Sequence, residues 1–386
     1  MFSKILPNFP EYRALEGSLA SGKAPLHVYG LTGSQKSHLI YSLCAATSNK
    51  CLVVASDEIQ AGRIMEDLSF FFCSAKKSVS PLYFPAKEYV FYDVYALNRN
   101  SEYQRLKTLS AIDEKAVVVT TMKALMQYTM PPESFWESCK HFSIGDIIDV
   151  LNLSTFLTDL GYKRVSTVEG VGQFSVRGSI IDIFCPTADH PVRIELFDDE
   201  IDSMREFDCE TQMSVSNIDK FVLCPVRELI YPKESIGSVA EKIKSQKNPN
   251  LAKDIENLTE QHYIASGDKY MPFFYDEYTT LLDYMGDDCT IFYDEPSTIF
   301  ELSKAFYEEQ SEIISDLLEK GLFPKTKKPY ILSYSDITER VNKKNLISIS
   351  SMPLPMSYST TFTHFCAIIK LPIGYMHFWV MAPYLL

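Results

Sequence analysis

Three apolar runs of similar length limit what this chain can fold into: LHVY at 26–29, CLVVAS at 51–56 and AVVVTT at 116–121. The two longer runs do not alternate apolar with polar residues, so each reads as a strand buried on both faces, as in a parallel sheet, and the first is a short apolar run feeding a glycine-rich turn. The stretches between them carry apolar residues at helical spacing. Leu39, Ile40, Leu43 and Ala46 follow the first run, and Ile64, Met65, Leu68 and Phe72 follow the second. The amphipathic SEYQRLKTLSAI (101–112) leads into the third. This alternation predicts an α/β unit with a parallel sheet and crossover helices over residues 1–145.

The turn after the first run is the most informative local feature. VYGLTGSQKSHLI (28–40) nearly spells a phosphate-binding loop, with Gly30, Gly33, Lys36 and Ser37 available. Such a loop has a second glycine immediately before its lysine. Here that place holds Gln35, whose Cβ and amide fill space that an anion would need. The other half of such a site is an apolar strand ending in acids that hold magnesium and activate water. TIFYDEP (290–296) supplies that pattern in Asp294 and Glu295. A strand that simply ends in a solvated acidic turn reads the same way.

Between the two halves the pattern changes. Residues 146–225 contain short β-like runs broken by Gly178, Pro186, Pro191 and the acidic FDDE, which predicts a small, mainly antiparallel β domain. Residues 226–352 return to α/β patterning. The small domain gathers basic side chains: Lys163, Arg164, Arg177, Arg193 and Arg205, with Phe184 as a candidate aromatic anchor. In VRIEL, Arg193 alternates away from Val192, Ile194 and Leu196. These arginines suit carboxylate recognition across an interface. They also have internal acids within reach in Glu195, Asp198, Asp199, Glu200 and Asp202. Gly178 reads as a bulge that re-aims Arg177.

A formal net charge of −13 argues against gripping nucleic acid through bulk electrostatics. The nine cysteines are scattered singly with no CxxC pair, which fits a reducing cytosol and predicts no metal site. The first residues lack the apolar run of a signal peptide, so a cytoplasmic location is expected. FCAIIKLPIGYMHFWVMAPYLL (365–386) is apolar, but Lys370, Pro372, Gly374, His377 and Pro383 make it a poor membrane span. Residues 353–386 are expected to be an atypical tail outside the fold, a truncated or frameshifted reading.

GQFSVRGSIIDIFCPTADHPVRIELFDDEIDSMREFD (172–208) and KYMPFFYDEYTTLLDYMGDDCTIFYDEP (269–296), taken with the altered loop, resemble the N-terminal module of bacterial transcription-repair coupling factors (the Mfd family). That module is itself related to UvrB. The resemblance covers roughly residues 1–350. Three departures from UvrB favour the coupling factors. Gln35 spoils the loop, Pro296 and Ser297 follow Glu295, and residues 89–109 leave no room for UvrB's tyrosine-rich hairpin.

The resemblance implies a degenerate helicase-like α/β domain interrupted by a β domain that binds UvrA. Lys163, Arg164, Arg177, Phe184, Arg193 and Arg205 are the candidate contacts. It implies a non-catalytic adaptor without ATP or magnesium of its own. In the full-length family those cofactors, RNA polymerase and double-stranded DNA belong to further domains. The alternative class is a UvrB-like, nucleotide-dependent damage-recognition subunit. No catalytic residue is assigned.

Overall fold

The computed structural model describes residues 6–47, 49–76, 79–88, 99–260, 264, 267–275, 278–354 and 367–371. The apolar runs are strands as expected: β1 (Leu26–Tyr29), β2 (Cys51–Ala55), β3 (Leu82–Phe84) and β4 (Val117–Thr121). The middle of the chain forms β5 (Lys140–Ser143), β6 (Lys163–Arg164), β7 (Gln173–Arg177), β8 (Ile180–Ile183), β9 (Val192–Phe197), β10 (Glu200–Phe207), β11 (Ser214–Asn217) and β12 (Lys220–Leu223). The chain then returns through β13 (Thr290–Asp294), β14 (Asn345–Ser350) and β15 (Ala367–Lys370).

β15, β1, β14, β13, β2, β4 and β3 lie side by side in that order in a seven-stranded sheet. Every pairing within it is parallel. Side-chain alternation explains why the strands read as unbroken apolar runs, because both faces are covered. Leu52, Val54, Val118, Ile291 and Tyr293 join one core, while Cys51, Val53, Ala55, Val117, Val119 and Phe292 join the other. Each Val, Leu, Ile or Phe among them contributes roughly 1.5–3 kcal/mol when fully buried. The helix Ser34–Ala46, which follows the loop, is buried from Lys36 to Cys44, so it is an interior element.

β11, β10, β9, β8, β7 and β6 form a six-stranded sheet of their own. Its pairings are antiparallel except for β6 with β7. One face carries Phe174, Ile181, Ile183, Val192, Ile194, Leu196 and Met204, and it shares a continuous core with Leu52 and Val54 of the large sheet. The small domain is therefore packed onto the body through apolar contact. Gly178 does not form a bulge. Arg177 and Ile180 are paired, so Gly178-Ser179 is a two-residue hairpin turn with Gly178 at φ 62°. The irregularities lie instead in β10, between Ile201 and Ser203 against β9 and between Glu206 and Phe207 against β11.

β5 and β12 pair with each other as an antiparallel ribbon that carries the chain into and out of the small domain.

The expectation that residues 353–386 stand outside the fold is corrected at one point. Ala367–Lys370 pairs in parallel with β1 and forms the edge of the large sheet. Leu371 is fully buried in the core beside Leu26 and Val28. The run was read as a tail because the family resemblance ends near residue 350, but an edge strand of a parallel sheet needs only a few apolar residues. Residues 355–366 and 372–386 lie outside the described residues.

Candidate functional site

The loop between β1 and the helix Ser34–Ala46 opens at Gly30 (φ 94°), and Gly33 (φ 50°) stands at the head of that helix. Positive φ is where glycine costs least, so both glycines serve the backbone. Gln35 closes the loop on itself: its Oε1 accepts the Thr32 N–H at 3.1 Å. The backbone N–H groups of Gln35 and Lys36 donate to Thr32 O and Gly33 O, each at 3.1 Å.

β13 delivers Asp294 and Glu295 to the same place, with β14 between β13 and β1. The Lys36 ammonium lies 2.7 Å from Asp294 Oδ1 and 2.5 Å from Glu295 Oε1. Asp294 Oδ2 also accepts from Gln60 Nε2 at 3.0 Å. Glu295 Oε1 accepts from the Ser351 N–H at 2.8 Å and from Ser351 Oγ at 2.6 Å. Burial pushes the Asp294 carboxyl above the usual range, against the pull of Lys36. Burial also acts to raise Glu295, but the hydrogen bonds from Lys36 and Ser351 outweigh it and hold Glu295 low. Glu295 sits at a left-handed φ of 59°, and Pro296 starts the following helix.

These residues do not fit a magnesium–triphosphate. The lysine that would meet phosphate meets two carboxylates, and the carboxylates that would hold a cation hold lysine, Gln60 and Ser351. The N–H groups of Thr32, Gln35 and Lys36 are spent within the loop, and that of Gly30 on Ser350 O. Ser37 is buried in the same helix. Among the described residues no cluster of His, Cys, Asp and Glu has the arrangement of a metal site.

The second candidate surface is the outer face of the small sheet. Ser175, Asp182, Arg193, Arg205 and Asn217 stand opposite one another across β7 to β11, and Arg177, Ile180 and Glu195 form the next row. Directly opposed residues share a face, so the arginines and their acids form one charged lattice. Asp182 is fully buried and accepts from Arg193 Nε at 2.6 Å, Arg193 Nη2 at 3.0 Å and Arg177 Nη2 at 2.6 Å. Arg193 also donates to Gln212 Oε1 at 3.0 Å, and its guanidinium lies 4.4 Å from the Phe207 ring centroid. Arg205 pairs with Glu195, and this hydrogen bond holds the Glu195 carboxyl below the usual range.

Of the two readings the sequence left open, Arg193 and Arg205 take the internal pairing. The Arg193 side chain is 13% exposed and that of Arg205 27%, whereas Arg177 at the hairpin keeps 46%. Lys163 and Arg164, on the edge strand β6, are exposed. Phe184 is not a free anchor, because it packs with Val168 and Phe207 in a small cluster under residues 165–171. The acid that organises this face, Asp182, was missed. Its signal lay in IIDIF, where one carboxylate in phase with the outer face interrupts three isoleucines. Gln60 and Ser351 carried no local signal at all.

Among the described residues no helix is long and apolar enough to cross a membrane. Residues 89–98, where a UvrB-like hairpin would have to fit, lie outside the described residues.

A family model described as the UvrB interaction domain matches residues 141–229, from the entering strand of the ribbon to just beyond the returning one. Curated relatives extend the likeness to most of the chain. The transcription-repair-coupling factor of Bacillus subtilis (strain 168) is 30% identical over 329 residues, covering 81% of this chain and 28% of that protein. That of Staphylococcus aureus (strain MRSA252) is 30% identical over 318 residues, covering 78% of this chain and 27% of that protein. The chain spans less than a third of the length of these relatives. A UvrB interaction domain set into a parallel α/β sheet, with relatives of one kind along four-fifths of its length, places this chain in the transcription-repair-coupling-factor family.

Proposed function

We propose that this chain is a non-catalytic adaptor that recruits UvrA for excision repair coupled to transcription. The observation that carries the reading is the match of the small domain to a UvrB interaction domain. The closed loop supports the non-catalytic part, since Lys36, Asp294 and Glu295 satisfy one another. The chemistry of the outer face supports the recruiting part. Lys163 and Arg164 on the edge strand and the half-exposed Arg177 are the charges left for a partner. Arg193 shares Asp182 with Arg177, and Arg205 is held by Glu195. Contacts with RNA polymerase and double-stranded DNA are assigned to other parts of the longer relatives, and the setting is the cytoplasm.

A calorimetric titration of purified UvrA into the chain tests the proposal. Saturable binding that weakens in Arg177→Ala and in Lys163→Ala/Arg164→Ala supports it. The absence of binding, or ATP turnover that disappears in Asp294→Asn, overturns it in favour of a nucleotide-dependent enzyme.

A further inference from the structure

The ribbon that joins the two domains ends in a pair of thiols. In its register Lys140 stands opposite Leu223, so the next pair towards the body is Cys139 with Cys224. Their sulfurs are 3.4 Å apart. The Ile144 N–H donates to Asp219 O, which makes residues 144 and 219 a hydrogen-bonded pair of the ladder. Such pairs alternate with unbonded ones, so residues 139 and 224 fall at an unbonded position. The Cys139 N–H is accordingly spent on Trp136 O rather than across the ribbon. Unbonded antiparallel pairs bring Cα atoms to about 4.5 Å, inside the range of about 4.4–6.8 Å that a disulfide spans.

The surroundings favour this pair over other thiols. Phe142 stacks on Phe221 across the ribbon, with centroids 6.2 Å apart, and holds the two strands in register. Cys139 is half-buried, whereas Cys224 and Cys185 are buried. Cys185 Sγ accepts the Cys224 N–H at 3.4 Å, so the small domain touches the same point. The Cys224 thiol is pushed up to about 12, chiefly by its contact with Cys139. A reagent arriving from solvent therefore meets Cys139 first. The other neighbouring thiols, Cys44 and Cys51, are both buried.

We propose that Cys139 and Cys224 are a reversible disulfide site that clips the base of the ribbon when the thiol pool is oxidised. The oxidant is a low-molecular-weight disulfide. The Cys139 thiolate attacks one of its sulfurs, forms a mixed disulfide and releases one small thiol. Cys224 then gives up its proton, attacks Cys139 Sγ and expels the second small thiol. The chain loses two electrons and two protons, and the oxidant becomes two thiols. The bridge turns everything between Cys139 and Cys224 into a closed loop, so unfolding the small domain frees less chain entropy. The inference rests on the thiol geometry and stands apart from the recruitment reading.

The test equilibrates the reduced chain in buffers of increasing oxidised-to-reduced glutathione ratio, alkylates the remaining thiols and maps the peptides. The expected result is a Cys139–Cys224 peptide, two fewer titratable thiols, and a higher urea midpoint than the reduced chain. Cys139→Ser, at the half-buried position, keeps the fold by circular dichroism and loses both the peptide and the shift. Cys185→Ala keeps the bridge. A Cys139–glutathione adduct as the end product, a Cys185–Cys224 bridge, a bridge formed only in denaturant, or a bridge that leaves the urea midpoint unchanged overturns the proposal.

Discussion

The loop on the large sheet and the outer face of the small sheet are both built from cations held against carboxylates, yet they end in opposite states. At the loop, Lys36 is 7% exposed and Asp294 1%, and every charge points inward at another. On the small sheet the organising acid is just as buried, but one of its two arginines keeps 46% of its side-chain surface. Removing Lys36 would strand two carboxylates with a desolvated charge, whereas buried Asp182 would keep both hydrogen bonds from Arg193 if Arg177 were removed. The same kind of pairing therefore closes the first site and leaves the second with a charge to present.

The largest effect that would break this comparison is expected at the loop. Lys36→Ala leaves Asp294 and Glu295 facing each other, and a loss of about 3–5 kcal/mol is the scale for an orphaned buried charge. Glu295 keeps 30% exposure, so the lower end of that range is expected in urea unfolding. A variant as stable as the parent would show that the loop is open in solution. Lys36→Ala is for the same reason a poor neutral control in binding experiments.

Next comes pH. Burial lowers His27, on β1 beside the loop, to about 4, against smaller opposing pulls from Ser348 and Glu295. Its folded pKa lies below its unfolded value of 6.5, so the unfolded chain takes up the proton first as pH falls. The stability it contributes is present above pH 6.5 and is lost between pH 6.5 and 4, at up to about 1.4 kcal/mol per pH unit. His27→Gln should flatten that slope in thermal melts. Equal slopes would remove His27 from the account. Asp294, with its raised pKa, acts in the opposite sense in acid, which is why the difference between parent and variant is the quantity to read.

Arg193→Ala comes third. It removes a two-pronged hydrogen bond to buried Asp182 and a stacking contact with Phe207, at about 2 kcal/mol in urea unfolding. Arg177→Ala should cost under about 1 kcal/mol of stability while weakening UvrA binding roughly tenfold, or about 1.4 kcal/mol. If the two arginines exchange these behaviours, with Arg193 silent in folding and Arg177 essential to it, the contrast between locked and presented charge fails.

Much of the framework was legible before any coordinates. The runs at 26–29, 51–56 and 116–121 became β1, β2 and β4 because strands buried on both faces leave no room for alternation. The acids at the end of β13 were found from an apolar strand ending in charge. What could not be read was which charges meet. Gly178 was misread as a bulge because a glycine after an arginine is equally a hairpin turn, and only the pairing of Arg177 with Ile180 decides. β15 was set aside with the tail because the family resemblance ends near residue 350, and four residues have too little period to announce a strand against that.

The sequence by itself determined the α/β alternation, the inserted β domain, the spoiled loop at Gln35 and the outward phase of Arg193, because these follow from local period and side-chain size. The tertiary structure decided that Lys36 meets Asp294 and Glu295, that Asp182 binds two arginines, and that Cys139 faces Cys224. Each of these joins residues carried on different segments of the chain. Their energies depend on distance and on exclusion of water, and neither quantity exists until the sheets have closed around them.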